Sequence, residues 1–240
     1  MIDVTFVPAV QGAPQWLPHV LDPDEQARCS RLHATGRPLF LAAHLGARML
    51  VANRLAWAPD PPATTFELDE FGWATESSGK PRVTFRDGRP QPLHVSVAHG
   101  GGMAVAAICD QGPIGVDIEH IDPRRQLLAI ARRFFSGEEH DRLAEVDGDE
   151  RTALFHQWWT RKEAVLKTTG AGLRGGLTVR VDAEPDGDGW RRVDLQGHAR
   201  PLFVRDLRPP DPAVLGAVAI EGQPAAVRSL QLWFEPAQAG

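Results

Sequence analysis

The longest periodic pattern in the chain runs from Glu150 to Lys167. Its apolar residues recur every three or four positions, as they do on one face of an α-helix. Those apolar residues are Leu154, Phe155, Trp158, Trp159, Val165 and Leu166. Glu163 and Lys167 are four residues apart, so both project from one side of the predicted helix. The sequence therefore predicts a long helix that carries a carboxylate and an ammonium one turn apart.

A second pattern has the period of a β-strand and covers residues 114–119. Apolar residues occupy alternate positions, and Asp117 and Glu119 occupy two of the positions between them. Both carboxylates are therefore expected on the same face of the strand. A tight turn at residues 110–113 precedes this strand, and we expect it to form a hairpin with the apolar strand Met103–Ile108.

The remaining patterns predict a long helix followed by strands in each half of the chain. In the first half, a short helix begins at Asp22-Pro23, and a longer one follows Gly36-Arg37-Pro38 and runs to about Trp57. In the second half, a helix opens at Asp122-Pro123. The strands expected after the long second-half helix are Leu177–Val181, Trp190–Leu195, Leu202–Leu207, Val214–Ile220 and Leu230–Phe234.

These elements predict an α+β fold of two similar lobes, a pseudo-dimer. Each lobe would consist of a long helix packed on a small, mostly antiparallel sheet. We place the boundary near Gly112-Pro113, with residues 1–112 in the first lobe and 113–240 in the second. The sequence shows no repeat strong enough to prove duplication.

The charge balance restricts the ligands that this chain could bind. The net charge of −5 and the pI of about 6.0 argue against nucleic-acid binding through a broad basic surface. Any anionic ligand must therefore be bound by a local basic cluster. The chain has no apolar run near the roughly 20 residues of a membrane span, and its first residues lack the features of a signal peptide. We expect a cytoplasmic protein that does not bind membranes.

Several familiar motifs fail on their context. The G-x-G-x-x-G pattern at residues 170–175 follows a helix and precedes a strand, the reverse of a dinucleotide fingerprint. The histidines form no H-E-x-x-H motif, which argues against zinc catalysis. Cys29 and Cys109 have no metal-ligand spacing, and a disulfide between them is possible but not indicated.

The strand and the long helix together suggest a phosphate-processing site. Taken alone, Asp117 and Glu119 have the spacing of a solvated strand end, and Glu163 with Lys167 that of a surface ion pair. Together, three carboxylates and one ammonium would hold a hard divalent cation and the phosphates that it neutralises. Lys167 is one of only three lysines among 26 basic residues, which favours a need for a compact ammonium there.

Five segments together resemble the signature of the 4′-phosphopantetheinyl transferases. These segments are Gly79-Lys80-Pro81, Val95–His99, Ile114–Glu119, Arg133-Phe134-Phe135 and Trp159–Lys167. Chain length and the two-lobed layout are similar to the larger type of this family, which activates the carrier proteins of peptide and polyketide synthetases. This resemblance implies a monomer, with the active site between the lobes.

The resemblance implies a specific reaction. The phosphopantetheine arm of coenzyme A would move to a serine of an apo acyl or peptidyl carrier protein, releasing 3′,5′-ADP. Asp117, Glu119 and Glu163 match the family's carboxylates that hold Mg²⁺, for which Mn²⁺ is an alternative, against the pyrophosphate of coenzyme A. Lys167 matches the lysine that contacts that pyrophosphate, and we assign Glu163 and Lys167 the catalytic roles.

The resemblance also implies nucleotide contacts from the first lobe. Arg28, Lys80 and His99 match residues around the nucleotide and its 3′-phosphate. Ala98 stands where the family usually has serine, so one hydroxyl contact is lost. Glu163 is the expected acceptor of the serine proton, directly or through a water, while His99 is an alternative base.

We further expect the carrier to dock on segment Gln126–Phe135. Basic residues suit the acidic helices of carriers, and this region holds Arg124, Arg125, Arg132 and Arg133.

Two other functions are consistent with the residues of the predicted phosphate-processing site. One is a metal-dependent pyrophosphohydrolase acting on a coenzyme A-like nucleotide with water as the nucleophile, and the other is a binding module without activity.

Overall fold

A computed structural model describes residues 1–9, 20–56, 71–75, 80–123, 126–170 and 178–231. The helices in these ranges are α1 (Pro23–Arg31), α2 (Arg37–Ala56), α3 (Leu127–Phe134), α4 (Gly137–Glu145) and α5 (Gly148–Thr169). The strands of the first half are β1 (Ile2–Pro8), β2 (Phe71–Thr75), β3 (Pro81–Phe85), β4 (Pro90–Gly100) and β5 (Met103–Cys109). Those of the second half are β6 (Ile114–His120), β7 (Trp190–Val193), β8 (Leu202–Leu207), β9 (Val214–Glu221) and β10 (Val227–Ser229).

The strands form two sheets, one for each lobe. The first sheet has the order β10-β1-β5-β4-β3-β2, and the second has the order β6-β9-β8-β7. Neighbouring strands are antiparallel except β1 and β10, which are parallel. The predicted α+β fold of two lobes is therefore confirmed. No helix in the described part of the chain is long and apolar enough to cross a membrane.

In the first lobe, α2 packs closely on the sheet because its inner face consists of small residues. Ala42, Ala43 and Ala47 are almost completely buried. A Cβ atom added at Gly46 would lie only 2.9 Å from a methyl carbon of Val7. The helix backbone therefore approaches β1 and β5 closely and covers one face of the first sheet.

In the second lobe, α5 packs even more closely on β6. A Cβ atom at Gly115 would lie 2.0 Å from the carbonyl oxygen of Ala164. Only glycine allows the helix and strand backbones to touch in this way. The alternate positions Asp117 and Glu119 lie on the same face of β6 as Gly115. Both carboxylates are therefore brought to the side of α5.

The other face of β6 packs on the first sheet. Ile114, Val116 and Ile118 lie in one core cluster with residues of β1, β4 and β5. The predicted hairpin between Met103–Ile108 and the strand at 114–119 is wrong, because β5 pairs with β1 and β4, and β6 pairs with β9. Face-to-face packing of two buried strands, rather than edge pairing, accounts for their apolar residues.

Three predicted element boundaries also need correction. Helix α3 begins at Leu127 and not at Asp122-Pro123. The last strand covers Val227–Ser229 instead of Leu230–Phe234, of which residues 232–234 lie outside the described residues. The predicted strand Leu177–Val181 is absent over residues 178–181, and residue 177 lies outside the described residues. In that segment, the Lys162 ammonium donates to the carbonyl of Val179, and the backbone amide of Val181 donates to the Glu139 carboxylate. These side chains take the hydrogen bonds that a neighbouring strand would otherwise make.

Strand β10 follows the second sheet along the chain but belongs to the first. Its Arg228 donates to Asp3 of β1, with Nε 2.8 Å from Oδ1. Arg54 of α2 donates to the other oxygen of Asp3 at 2.7 Å. The Asp3 carboxylate is completely buried, and two guanidinium groups compensate its charge.

The two lobes share a helix-pairing motif. A short helix with a capping box presents a buried glutamate, which pairs with a cation on the long helix 23 residues later. One constant shift along the chain carries Asp22, Glu25 and Arg48 onto Ser136, Glu139 and Lys162. The structure thus supports an internal repeat that the sequence alone does not reveal.

Candidate active site

The carboxylates predicted on β6 and the ammonium predicted on α5 meet where these elements pack. Lys167 Nζ lies 2.8 Å from Oδ1 of Asp117 and 3.1 Å from the carbonyl oxygen of Val116. Asp117 is buried, while Glu119, Glu163 and Lys167 are half-buried. The group therefore lies at the edge of the core, where its side chains can reach a ligand.

The pKa values show that the three carboxylates interact. Burial raises the pKa of Asp117 to about 7; the Lys167 ammonium opposes this, and the negative charges of Glu163 and Glu119 add to it. Burial also raises the pKa of Glu163, with Lys167 opposing and Glu119 adding to the rise. These carboxylates are thus close enough to repel one another, and a positive ligand would relieve the repulsion.

One oxygen of this group lacks a hydrogen bond. Oδ2 of Asp117 is buried and has no hydrogen-bond partner among the residues that the structure describes. A buried, unpaired carboxylate oxygen is costly, and a bound cation would satisfy it. Within the described ranges, however, no three acidic, histidine or cysteine side chains are arranged as a preformed metal centre. The cation that contacts Asp117 in the described residues is the Lys167 ammonium.

A cavity of about 450 Å³ adjoins this group and lies between the lobes. Residues of α1, α2, β2 and β4 line it on one side, and the end of α5 lines it on the other. Arg28, Lys80 and Lys167 contribute basic side chains to its lining. Asp22, Asp24 and Glu25 line the cavity as well, so an anion would have to bind at the basic side chains and away from these carboxylates.

Lys80 connects the lobes at the base of this cavity. Its Nζ lies 3.0 Å from the carbonyl oxygen of Ile114 and 2.7 Å from that of Thr168. The second contact satisfies a carbonyl at the C-terminal end of α5, where a cation is favourable. Lys80 thus has a connecting role that the sequence did not predict, and its predicted nucleotide contact remains a prediction.

Ala98 and His99 lie at the end of β4, outside the residues that line the cavity. Ala98 is buried in the core cluster shared with β6, whereas His99 is exposed. The neighbouring Gly100 touches β6, because a Cβ atom there would lie 2.6 Å from the carbonyl oxygen of Ile118. His99 is thus held near the strand end that carries Glu119, and its predicted phosphate contact remains untested.

Sequence reasoning missed a cluster around Glu25 that forms part of the cavity wall. Arg48, His44 and Trp73 all donate to this buried carboxylate. The partners are distant in sequence, and the only local signal was the capping-box spacing from Asp22 to Glu25.

The fold and the site define a two-lobed α+β protein with an acidic, cation-compatible group beside a cleft lined by charged side chains of both signs. The family model of the 4′-phosphopantetheinyl transferase superfamily matches residues 113–215. HetI, a 4′-phosphopantetheinyl transferase of Nostoc sp., is 30% identical over 172 residues, which cover 71% of this chain and 68% of HetI. The chain belongs to the 4′-phosphopantetheinyl transferase superfamily.

Two other relatives show the same similarity. A 4′-phosphopantetheinyl transferase of Bacillus pumilus is 35% identical over 166 residues, which cover 69% of this chain and 66% of that protein. A Synechocystis protein named as a candidate member is 35% identical over 166 residues, covering 69% of this chain and 63% of its own. The chain thus matches slightly less than two thirds of the length of these two relatives.

Proposed function

We propose that this protein transfers the 4′-phosphopantetheine arm of coenzyme A to a serine of an acyl or peptidyl carrier protein and releases 3′,5′-ADP. The observation that carries the proposal is the grouping of Asp117, Glu119, Glu163 and Lys167 at the edge of a cavity between the lobes. Relatives that bear this activity in their names support it.

Asp117, Glu119 and Glu163 would hold the divalent ion of the reaction. The unpaired buried oxygen of Asp117 and the mutual repulsion of the carboxylates fit this role. Carboxylate oxygens suit Mg²⁺, and Mn²⁺ accepts the same ligands. When bound, the ion neutralises the pyrophosphate of coenzyme A and the charge that develops on the departing phosphate.

The reaction breaks one bond and forms another at the β-phosphorus. The serine oxygen of the carrier attacks this phosphorus, and the bond to the oxygen of the departing 3′,5′-ADP breaks. Glu163 accepts the serine proton, directly or through a water, and the burial that raises its pKa makes it a stronger base. Lys167 stabilises the negative charge of the leaving phosphate.

The first lobe would bind the nucleotide. Arg28 and Lys80 line the cavity and can contact phosphate oxygens, as we propose for His99 at the end of β4. Ala98 offers no hydroxyl to this ligand. A single copy of the chain contributes both lobes, so we propose a monomer.

The carrier would dock on the face of α3. Arg132 and Arg133 are exposed there, and Arg133 lies over the ring of Phe134 at 5.0 Å. Arg124 and Arg125, also predicted to contribute, lie outside the described residues. Charge reversal of Arg132 and Arg133 should raise the KM for the carrier and leave coenzyme A affinity unchanged. An unchanged KM for the carrier would remove the docking surface.

One experiment tests the function directly. The protein is incubated with coenzyme A, Mg²⁺ and a panel of apo carrier proteins, including peptidyl carrier domains, and the carriers are weighed by mass spectrometry. We expect a mass gain of one phosphopantetheine arm, and none when the divalent ion is chelated. Release of 3′,5′-ADP without any carrier would instead show hydrolysis, and no metal-dependent turnover would refute both activities.

A further inference from the structure

The Glu25 carboxylate of α1 accepts hydrogen bonds from two other elements and from the N-cap of its own helix. Arg48 of α2 donates to both oxygens, at 2.8 Å to Oε1 and 2.5 Å to Oε2. His44 Nδ1 and the indole Nε1 of Trp73 both donate to Oε1, and the backbone amide of Asp22 donates to Oε2 at 2.7 Å. The carboxylate thereby joins α1, α2 and β2 at one point.

Several members of this cluster also form the wall of the cavity. Glu25, His44 and Trp73 line it, together with Arg28, one helical turn after Glu25. Both rings are attached to the carboxylate through one nitrogen each. Arg48 also lies over the Trp73 ring at 5.0 Å, and the His44 ring packs on Phe40 with their centroids 4.1 Å apart. Both rings are therefore held in fixed orientations at the cavity wall.

The second lobe contains the equivalent carboxylate with a different set of partners. Glu139 pairs with Lys162 at 2.7 Å, and both side chains are completely buried. Among the described residues, its remaining hydrogen bonds are with the amide of Val181 and with Ser136, and none of them comes from a ring. A cation and nearby amides are thus sufficient to hold the helix pair together.

The comparison of the two lobes shows one role that Glu25 and Glu139 share and one that only Glu25 has. Helix pairing is common to both lobes and needs only the carboxylate and its cation. The two ring donors occur only at Glu25, in the lobe where the carboxylate lines the cavity. The added contacts therefore go beyond what the helix pair needs, and they connect the carboxylate to two side chains of the cavity wall.

We propose that Glu25 is a positioning residue for the coenzyme A site, holding His44 and Trp73 in place and so setting the affinity for the nucleotide and not the rate of transfer. This inference rests on the proposed function. Fixing side chains before binding saves the entropy of ordering them at that moment. For two side chains this saving corresponds to roughly tenfold in affinity.

The matched variants Glu25→Gln and Glu139→Gln test the proposal. Each removes one negative charge from equivalent buried carboxylates and should lower the melting temperature. We expect Glu25→Gln to raise the KM and the calorimetric Kd for coenzyme A about tenfold or more, with kcat within about threefold of wild type. Glu139→Gln should leave the Kd for coenzyme A near its wild-type value. Equal effects of both variants on the Kd, or no effect of Glu25→Gln, would overturn the proposal.

A milder variant keeps the test decisive if Glu25→Gln fails to fold. Glu25→Asp retains the charge for Arg48, but its shorter side chain cannot reach both rings, so an intermediate rise in Kd is expected. A wild-type Kd for this variant would contradict the proposal. If the wild-type protein binds coenzyme A without transferring its arm, the proposed function fails while the Kd comparison still decides this inference. If it does not bind coenzyme A, both fail.

Discussion

The Glu25 carboxylate should make the stability of the protein depend on acidic pH. Burial alone would raise its pKa, but hydrogen bonds and charges of His44 and Arg48 outweigh burial and lower the pKa from 4.5 to about 2. The ionised form is therefore favoured by folding. This group adds stability above pH 4.5 and loses it as the pH falls toward 2.

The pKa difference gives the size of the effect. It corresponds to roughly 3 kcal/mol of folding free energy at pH 7 and about 1 kcal/mol at pH 3. Glu25→Gln cannot ionise, so the difference in free energy of unfolding between wild type and variant should narrow by about 2 kcal/mol over this range. Any pH-independent cost of leaving Arg48 without its charged partner cancels in that change.

Urea unfolding at pH 7, 4 and 3 measures this difference. Asp194→Asn is a suitable control, because Asp194 pairs with Arg192 on the surface and both side chains are exposed. The stability difference for the control should stay near zero at all three values of pH. A difference between wild type and Glu25→Gln that is the same at pH 7 and pH 3 would refute the reasoning, since the carboxylate would then contribute no pH-dependent stability.

Further predictions concern the second lobe. Asp117→Asn should stabilise the metal-free protein in urea more at pH 8 than at pH 5, because a carboxyl with its pKa raised to about 7 costs stability as the pH rises from 4 toward 7 and it ionises. Glu163→Gln should retain calorimetric binding of coenzyme A and lower kcat by about 10²–10⁴-fold; a loss below tenfold would remove it as the base. Lys167→Arg should also lower kcat in the carrier assay, because a planar guanidinium does not replace a compact ammonium. Gly115→Ala should lower the free energy of unfolding by about 1–3 kcal/mol or more through overpacking. Gly187→Ala should leave it unchanged, because a Cβ atom at Gly187 has no atom within 4 Å.

The sequence predicted the elements whose signals are local. The periodicity of α5 and β6 placed Asp117, Glu119, Glu163 and Lys167 on facing sides, and the structure has them there. This prediction works because a helix and a strand each have a regular period, and the period determines which side chains share a face.

What the sequence could not predict depends on contacts between distant segments. The hairpin prediction failed because two apolar strands can pack face to face as well as edge to edge, and sequence does not separate these cases. The Glu25 cluster joins residues from α1, α2 and β2, whose meeting is decided by tertiary packing. Lys162 lies inside the motif of α5, yet it is buried against Glu139, and no local pattern distinguishes it from Lys167.

The position of β10 has a consequence for dividing the protein. Because this strand returns to the first sheet, a single cut at Gly112 would not yield two complete halves. An isolated N-terminal fragment would expose the outer edge of β1 to intermolecular strand pairing. It would also leave buried Asp3 without Arg228. Separate expression of the first half would therefore need β10 joined to it, for example by circular permutation.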